Sequence, residues 1–210
     1  MVKTGVKGQI YGSVPRQWAG ETIVCLATGP SLCLADVEAC RGRARVIAVK
    51  NAVDLAPWAD VVYGAGVDRT AWWKHEGPRV ARQHQGLRFT LDPKVAEWAT
   101  VLRIGGPLGL STDPGTLNTG KNSGYQAINL AALLGAARIL LLGYDMRSAD
   151  GRDHFFGAHP TGNKPDYREF LPYFRTLVAP LADLGVSIVN CTPGSAIDAF
   201  PRMTLTEALA

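Results

Sequence analysis

The sequence predicts an α/β three-layer sandwich with a mainly parallel central sheet. Three observations carry this expectation. The apolar runs are continuous rather than alternating, as in strands covered on both faces. Helical patterns separate them, and polar or glycine-rich sequence follows each run directly.

The first strand is "TIVCLA" (22–27). "SLCLADVEACRG" then reads as a short helix, with Ser31 as N-cap and Gly42 beyond its end. "RVIAVK" (45–50) is a second strand ending at Asn51, and "ADVVYGAG" (59–66) a third, running into "VDRTAWWKHEG". A shorter strand follows at "LRFTLD" (87–92). The Gly-, Pro-, Ser- and Thr-rich stretch 103–121 predicts a long loop of the kind that is functional or mobile. "NSGYQAINLAALLG" is a helix and "ARILLLGYDM" the most hydrophobic strand. Residues 147–165 are polar and irregular, and "DYREFLPYFRTLVAPLADLG" is a helix that Pro180 interrupts. "VSIVNC" (186–191) is the last strong strand.

A chain of 210 residues, 47% hydrophobic and 19% charged, predicts one globular domain over 1–210 with its core at about 21–200. The longest apolar stretch is broken by Gly135 and Arg138, so no membrane span is expected, and no secretory signal is visible. Cys25, Cys33, Cys40 and Cys191 form no CxxC pair, which points to a reduced, cytoplasmic protein without a structural metal. The net charge of +4 tolerates an anionic small molecule but falls short of the basic stripe of a nucleic-acid binder. The Trp72–Trp73 pair reads first as cover for a core edge, and with the apolar C-terminal tail it allows a homo-oligomer.

Ligands of such sheets lie beyond the C-terminal strand ends, near the switch in strand order. The residues there are Thr28, Gly29, Pro30 and Ser31, then Asn51, Gly64 to Asp68, Tyr144 and Asp145, and Thr192, Pro193, Gly194 and Ser195. Gly29 followed by Pro-Ser lets the backbone approach a phosphate or sugar, though a plain strand-to-helix turn reads the same way. There is no GxGxxG after the first strand and no P-loop pattern. Asn122 or Ser123 caps the later helix, where Gly124 would let an anion sit against the first turn, helped by Asn118, Thr119 and Lys121. "GRDHFFGAHP" (151–160) carries His154 and His159, two candidates for proton transfer, with Asp145, Asp150 and Asp153 nearby in sequence.

Taken in order, "VCLATGPSL", the strand ending in Asn51, "NSGYQAINLAALLGAARILLLGYDM", the His-bearing loop and "VNCTPGSAIDAFP" resemble the bacterial lipooligosaccharide sialyltransferases. They are similar also to the archaeal pterin-pyrophosphokinase-like family and to small phage-encoded proteins that share a Rossmann-like sheet. The likeness covers roughly residues 21–200. It implies a glycosyltransferase using a nucleotide-activated sugar, with no obligatory metal, in the cytoplasm (of the host, if phage-encoded). Gly29, Ser31, Asn51, Ser123 and Gly124 would then line a nucleotide site, and His159 would be the general base. Tyr144, Tyr167 and Tyr173 are candidates to support the leaving group. The sequence departs from the sialyltransferases at Thr28 and Asp68, where they have Asn. The carboxylate at Asp68 is closer to the pyrophosphokinase-like pattern, in which Asp68 and Asp145 would hold Mg²⁺ on phosphates. A third alternative is a nucleotide-binding protein without catalysis.

Overall fold

A computed structural model of the chain describes residues 10–66, 72–157 and 164–210. Its strands are β1 (Thr22–Leu26), β2 (Arg45–Val49), β3 (Val61–Tyr63), β4 (Leu87–Thr90), β5 (Thr100–Val101), β6 (Arg103–Ile104), β7 (Thr116–Leu117), β8 (Arg138–Leu142) and β9 (Ser187–Asn190). Seven of them form one parallel sheet in the order β5-β4-β3-β2-β1-β8-β9, and β6 pairs with β7 in a separate two-stranded ribbon. The helices are α1 (Leu34–Cys40), α2 (Trp72–Gln83), α3 (Ser123–Leu134), α4 (Tyr167–Arg175), α5 (Val178–Asp183) and α6 (Leu205–Leu209).

The period-two geometry of strands divides the apolar runs between two cores. On β1, Ile23 and Cys25 face a cluster built with α3, α4 and α5, whereas Val24 and Leu26 face one built with α1, α2 and α6. This is the expected three-layer, Rossmann-like arrangement. Helix α3 is buried at every residue except Ser123, so it is apolar almost all round rather than amphipathic. Its two buried amides are satisfied. Gln126 accepts from the Tyr63 hydroxyl at 2.7 Å and donates to the Thr119 carbonyl at 2.8 Å. Asn129 accepts from the Ser111 and Asn118 backbone N–H groups at 3.0 Å each and donates to the Ser111 carbonyl at 2.9 Å. Stretch 103–121 is therefore tied to the core through Asn129, and it contains the β6–β7 ribbon that its composition did not predict.

One other expectation is corrected. Ser31 does not cap a helix: α1 starts at Leu34, and its N-cap residue Cys33 makes no side-chain capping bond. The C-terminal helix is interrupted as expected, with the break at Thr176 and Leu177, a full turn before Pro180. Pro180 has no N–H for the Thr176 carbonyl, so the α4 ladder stops there, and the proline falls in the first turn of α5 where that N–H is not needed. Trp72 and Trp73 are buried on α2 as core cover, with the Trp73 indole donating to the Gly64 carbonyl at 2.8 Å.

Both sheet edges are finished by short parallel bridges, Tyr11 on Val101 beside β5 and Arg202 on Asn190 beside β9. Among the described residues no helix is long and apolar enough to cross a membrane.

Candidate functional site

The strand order reverses between β1 and β8, which opens a crevice above their C-terminal ends. A cavity of about 240 Å³ lies there. Its floor is Ala27 to Gly29 with Gly143 and Met146. One side is Val49 to Asn51, another is Lys121 to Gly124, and the roof is Asp153, His154 and Phe156 with Lys164, Pro165, Tyr167 and Phe170.

The floor continues the β1–β8 ladder past the end of β1. Ala27 N–H donates to the Leu142 carbonyl and Gly29 N–H to the Gly143 carbonyl, both at 2.9 Å. This draws the Gly29-Pro30-Ser31 turn down onto β8. A Cβ at Gly29 would stand 2.0 Å from Asp145 Oδ2 and 2.4 Å from the Gly143 carbonyl, so only glycine fits. Ser31 completes the contact, donating its N–H to Asp145 Oδ1 at 3.2 Å and its hydroxyl to Oδ2 at 2.9 Å. Asp145 is 2% exposed, and burial raises its pKa, with the Ser31 bonds pulling the other way. Each Asp145 oxygen thus accepts one bond from Ser31, and the side chain does not line the cavity. Among the described residues no group of three His, Cys, Asp or Glu could hold a metal ion.

At the start of α3 the Asn122 side chain accepts from the Gly124 and Tyr125 N–H groups at 2.8 and 3.2 Å. Asn122 is thus the cap, and it consumes two of the donors expected for an anion. Gly124 borders the cavity, but a Cβ there would lie 2.9 Å from the Tyr144 ring, so the glycine also makes room for Tyr144, whose hydroxyl donates to the Gly124 carbonyl at 3.0 Å. Across the cavity Asn51 is held by the Trp72 indole.

The roof is pinned to the floor. The Thr28 hydroxyl and His154 Nδ1 are 3.0 Å apart, and Phe155 N–H donates to the Thr28 carbonyl at 3.0 Å. His154 stacks on Phe156 with ring centroids 4.9 Å apart. The Tyr167 hydroxyl reaches the Asp153 carbonyl at 3.3 Å, and burial with the nearby Asp153 charge raises the Tyr167 pKa. The Ser148 hydroxyl donates to the Asp153 carboxylate. Lys121 Nζ joins Glu169 at 2.5 Å, linking the α3 start to α4.

Backbone strain gathers at this site. Among the described residues, the non-glycine residues with left-handed φ are Lys50 (50°), Lys121 (54°), Met146 (49°) and Asp150 (50°). The first three line the cavity, and Asp150 belongs to the His154 loop. Each such residue costs roughly 1–2 kcal/mol, a cost that surrounding structure holds in place most often at functional sites.

Of the residues singled out from sequence, Thr28, Gly29, Asn51, Lys121, Asn122, Ser123, Gly124, Asp153, His154 and Tyr167 line one cavity. Pro30, Ser31, Tyr144, Asp145, Thr192, Gly194 and Ser195 do not. Thr192 and Ser195 are buried and serve the backbone of Tyr144: the Thr192 hydroxyl accepts from its N–H at 2.9 Å and the Ser195 hydroxyl donates to its carbonyl at 2.5 Å. The Gly194 carbonyl accepts from Arg147 Nε at 2.6 Å. Asp68 and His159 lie outside the described residues. The sequence reading missed Lys50, Met146, Phe156, Lys164 and Phe170. Lys50 was signalled by its place next to Asn51 at a strand end and Met146 by its place just past Asp145; Phe156 and Lys164 sit in the polar 147–165 stretch, which has no periodicity to read, and Phe170 lies on α4.

No protein-family model matches the chain, and no curated protein matches it in sequence. Among solved structures, the chain is similar to the MAf glycosyltransferase from Magnetospirillum magneticum AMB-1, with a TM-score of 0.65 and 14% identity over 93% of this chain. The chain spans about a third of that protein, 35% of its length. At that identity the likeness is one of fold.

Proposed function

We propose that the chain is a glycosyltransferase-like transferase that binds a nucleotide-activated sugar in the cavity above β1 and β8. The observation that carries this reading is the convergence of Thr28, Gly29, Asn51, Asn122, Ser123, Gly124 and His154 on one cavity at the strand-order switch. The fold shared with a glycosyltransferase structure supports it.

In this reading an acceptor hydroxyl attacks the anomeric carbon, its proton passes to a histidine of the 151–160 loop, and the bond to the nucleotide phosphate breaks with its electron pair on the phosphate oxygen. His154 and His159 are the two candidates for the base. The Thr28 hydroxyl fixes the His154 ring through Nδ1. When Nδ1 carries the proton and donates to Thr28, Nε2 is the basic nitrogen. The leaving phosphate is stabilised by Lys50, Lys121 and Lys164 and by the positive end of α3.

The test is release of free nucleotide from CMP-, UDP- and GDP-linked sugars in metal-free buffer. Loss of the general base is expected to slow turnover about 10²–10⁴-fold. One of His154→Ala and His159→Ala should show that loss with nucleotide binding retained. If no nucleotide or nucleotide sugar raises the melting temperature, the reading fails.

A further inference from the structure

The orientation of the Asn51 amide is fixed by two groups, one that can only donate and one that can only accept. The Trp72 indole is the donor, and its Nε1–H lies 2.9 Å from Asn51 Oδ1. The Asp54 carboxylate is the acceptor, and Asn51 Nδ2 donates to its Oδ2 at 3.4 Å. Asp54 is itself held by Arg79 Nη2 at 2.7 Å, and Arg79 Nε bonds Glu76 at 2.7 Å. Turning the amide over would set N–H against N–H and oxygen against carboxylate. One lone pair of the Asn51 carbonyl is taken by Trp72 and one amide hydrogen by Asp54, so the amide's remaining lone pair and N–H are held in a fixed orientation.

We infer that Trp72 is a positioning residue that fixes the orientation in which the Asn51 amide meets the ligand. The inference rests on the nucleotide reading of this cavity and narrows it. The charged groups around Asn51 set the ligand's chemistry. Lys50, Lys121 and Lys164 can only donate, and Asp153 is the one acidic side chain on the described wall. The ligand class is one rich in acceptors, such as phosphate oxygens.

The experiment is calorimetric titration with CMP, CDP, UDP and GDP, taking the tightest as reference. Trp72→Phe keeps the ring and removes the N–H. Its affinity should fall about five- to tenfold, the loss expected of one hydrogen bond. In an Asn51→Ala background the same change should alter affinity less than about twofold, because coupled residues are non-additive. Thermal stability should fall in both backgrounds. Equal loss of affinity in both would make Trp72 structural only and overturn the inference, as would unchanged affinity in Trp72→Phe. Asp54→Asn, at an exposed position, disturbs the same amide from its other end and gives the same cycle if Trp72→Phe does not fold. If none of the four probes binds the unsubstituted protein, the nucleotide reading fails and this inference with it; if they bind and the cycle is additive, only the inference fails.

Discussion

Gly29→Ala should destabilise the protein far more than an exposed glycine substitution does. The new methyl would stand 2.0 Å from a buried carboxylate oxygen and 2.4 Å from a backbone carbonyl. Restoring van der Waals contact requires a retreat of about 1.5 Å by the turn or by β8. Overpacking of this kind costs about 1–3 kcal/mol. The retreat also breaks the two bonds from Ser31 to Asp145, and a bond to a charged group is worth about 1.5–3 kcal/mol. A total of at least about 3 kcal/mol follows, which for a chain of this size lowers Tm by at least about 6 °C. Gly106→Ala is the control. It is exposed, its φ is not left-handed, and the nearest atom to a new Cβ is 3.9 Å away. That change should stay within about 0.5 kcal/mol of the parent. Urea unfolding followed by circular dichroism, with calorimetry, measures both. A Gly29→Ala protein melting within about 2 °C of the parent would refute the close packing of the turn on Asp145.

Asp145 has a pKa raised above the ordinary 3.8, so the folded protein holds this proton more tightly than the unfolded chain and stability falls as pH rises through that window. Asp145→Asn can still accept from Ser31 N–H and donate to its hydroxyl, so urea titrations above pH 4 should show a flatter pH dependence; an unchanged slope refutes the assignment. Asn122→Ala removes the α3 cap and two N–H partners, a loss of about 1–2 kcal/mol that differential scanning calorimetry would register as a Tm lower by several degrees. Burial pushes the Cys25 and Cys40 thiols up to about 12 and Cys191 up to about 11, whereas Cys33 is exposed. An aromatic disulfide reagent at pH 8 should therefore titrate one thiol in the native protein and four in denaturant.

The strands that sequence revealed are those with enough apolar residues to show a continuous run: β1 and β2 sit within one residue of their expected ends, and β8 occupies the apolar first half of "ARILLLGYDM". Strands of two residues, such as β5, β6 and β7, leave no period to detect. The misread positions share one cause. Ser31 looks like a cap because caps are local, but its partner Asp145 is 114 residues away. Gly124 looks like a place for a ligand alone, but it also makes room for the ring of Tyr144, just past the end of β8. The cavity floor was legible because strand ends are fixed by the fold class. Its roof was legible only in part: His154 and Tyr167 were singled out, but Phe156 was not, because its place depends on long-range contacts such as Thr28 with His154.

The two bridges that finish the sheet have a mechanical consequence. Residues near one end of the chain sit beside β5 and residues near the other beside β9, on opposite flanks of a seven-stranded sheet. At a spacing of about 4.8 Å per strand, tension applied through the ends acts across roughly 38 Å, along the hydrogen bonds rather than along the strands. Once the Tyr11 bridge parts, the next strand along the chain is β1 in the middle of the sheet, so tension from that side would pass from the edge directly to the β1–β2 and β1–β8 ladders beneath the cavity.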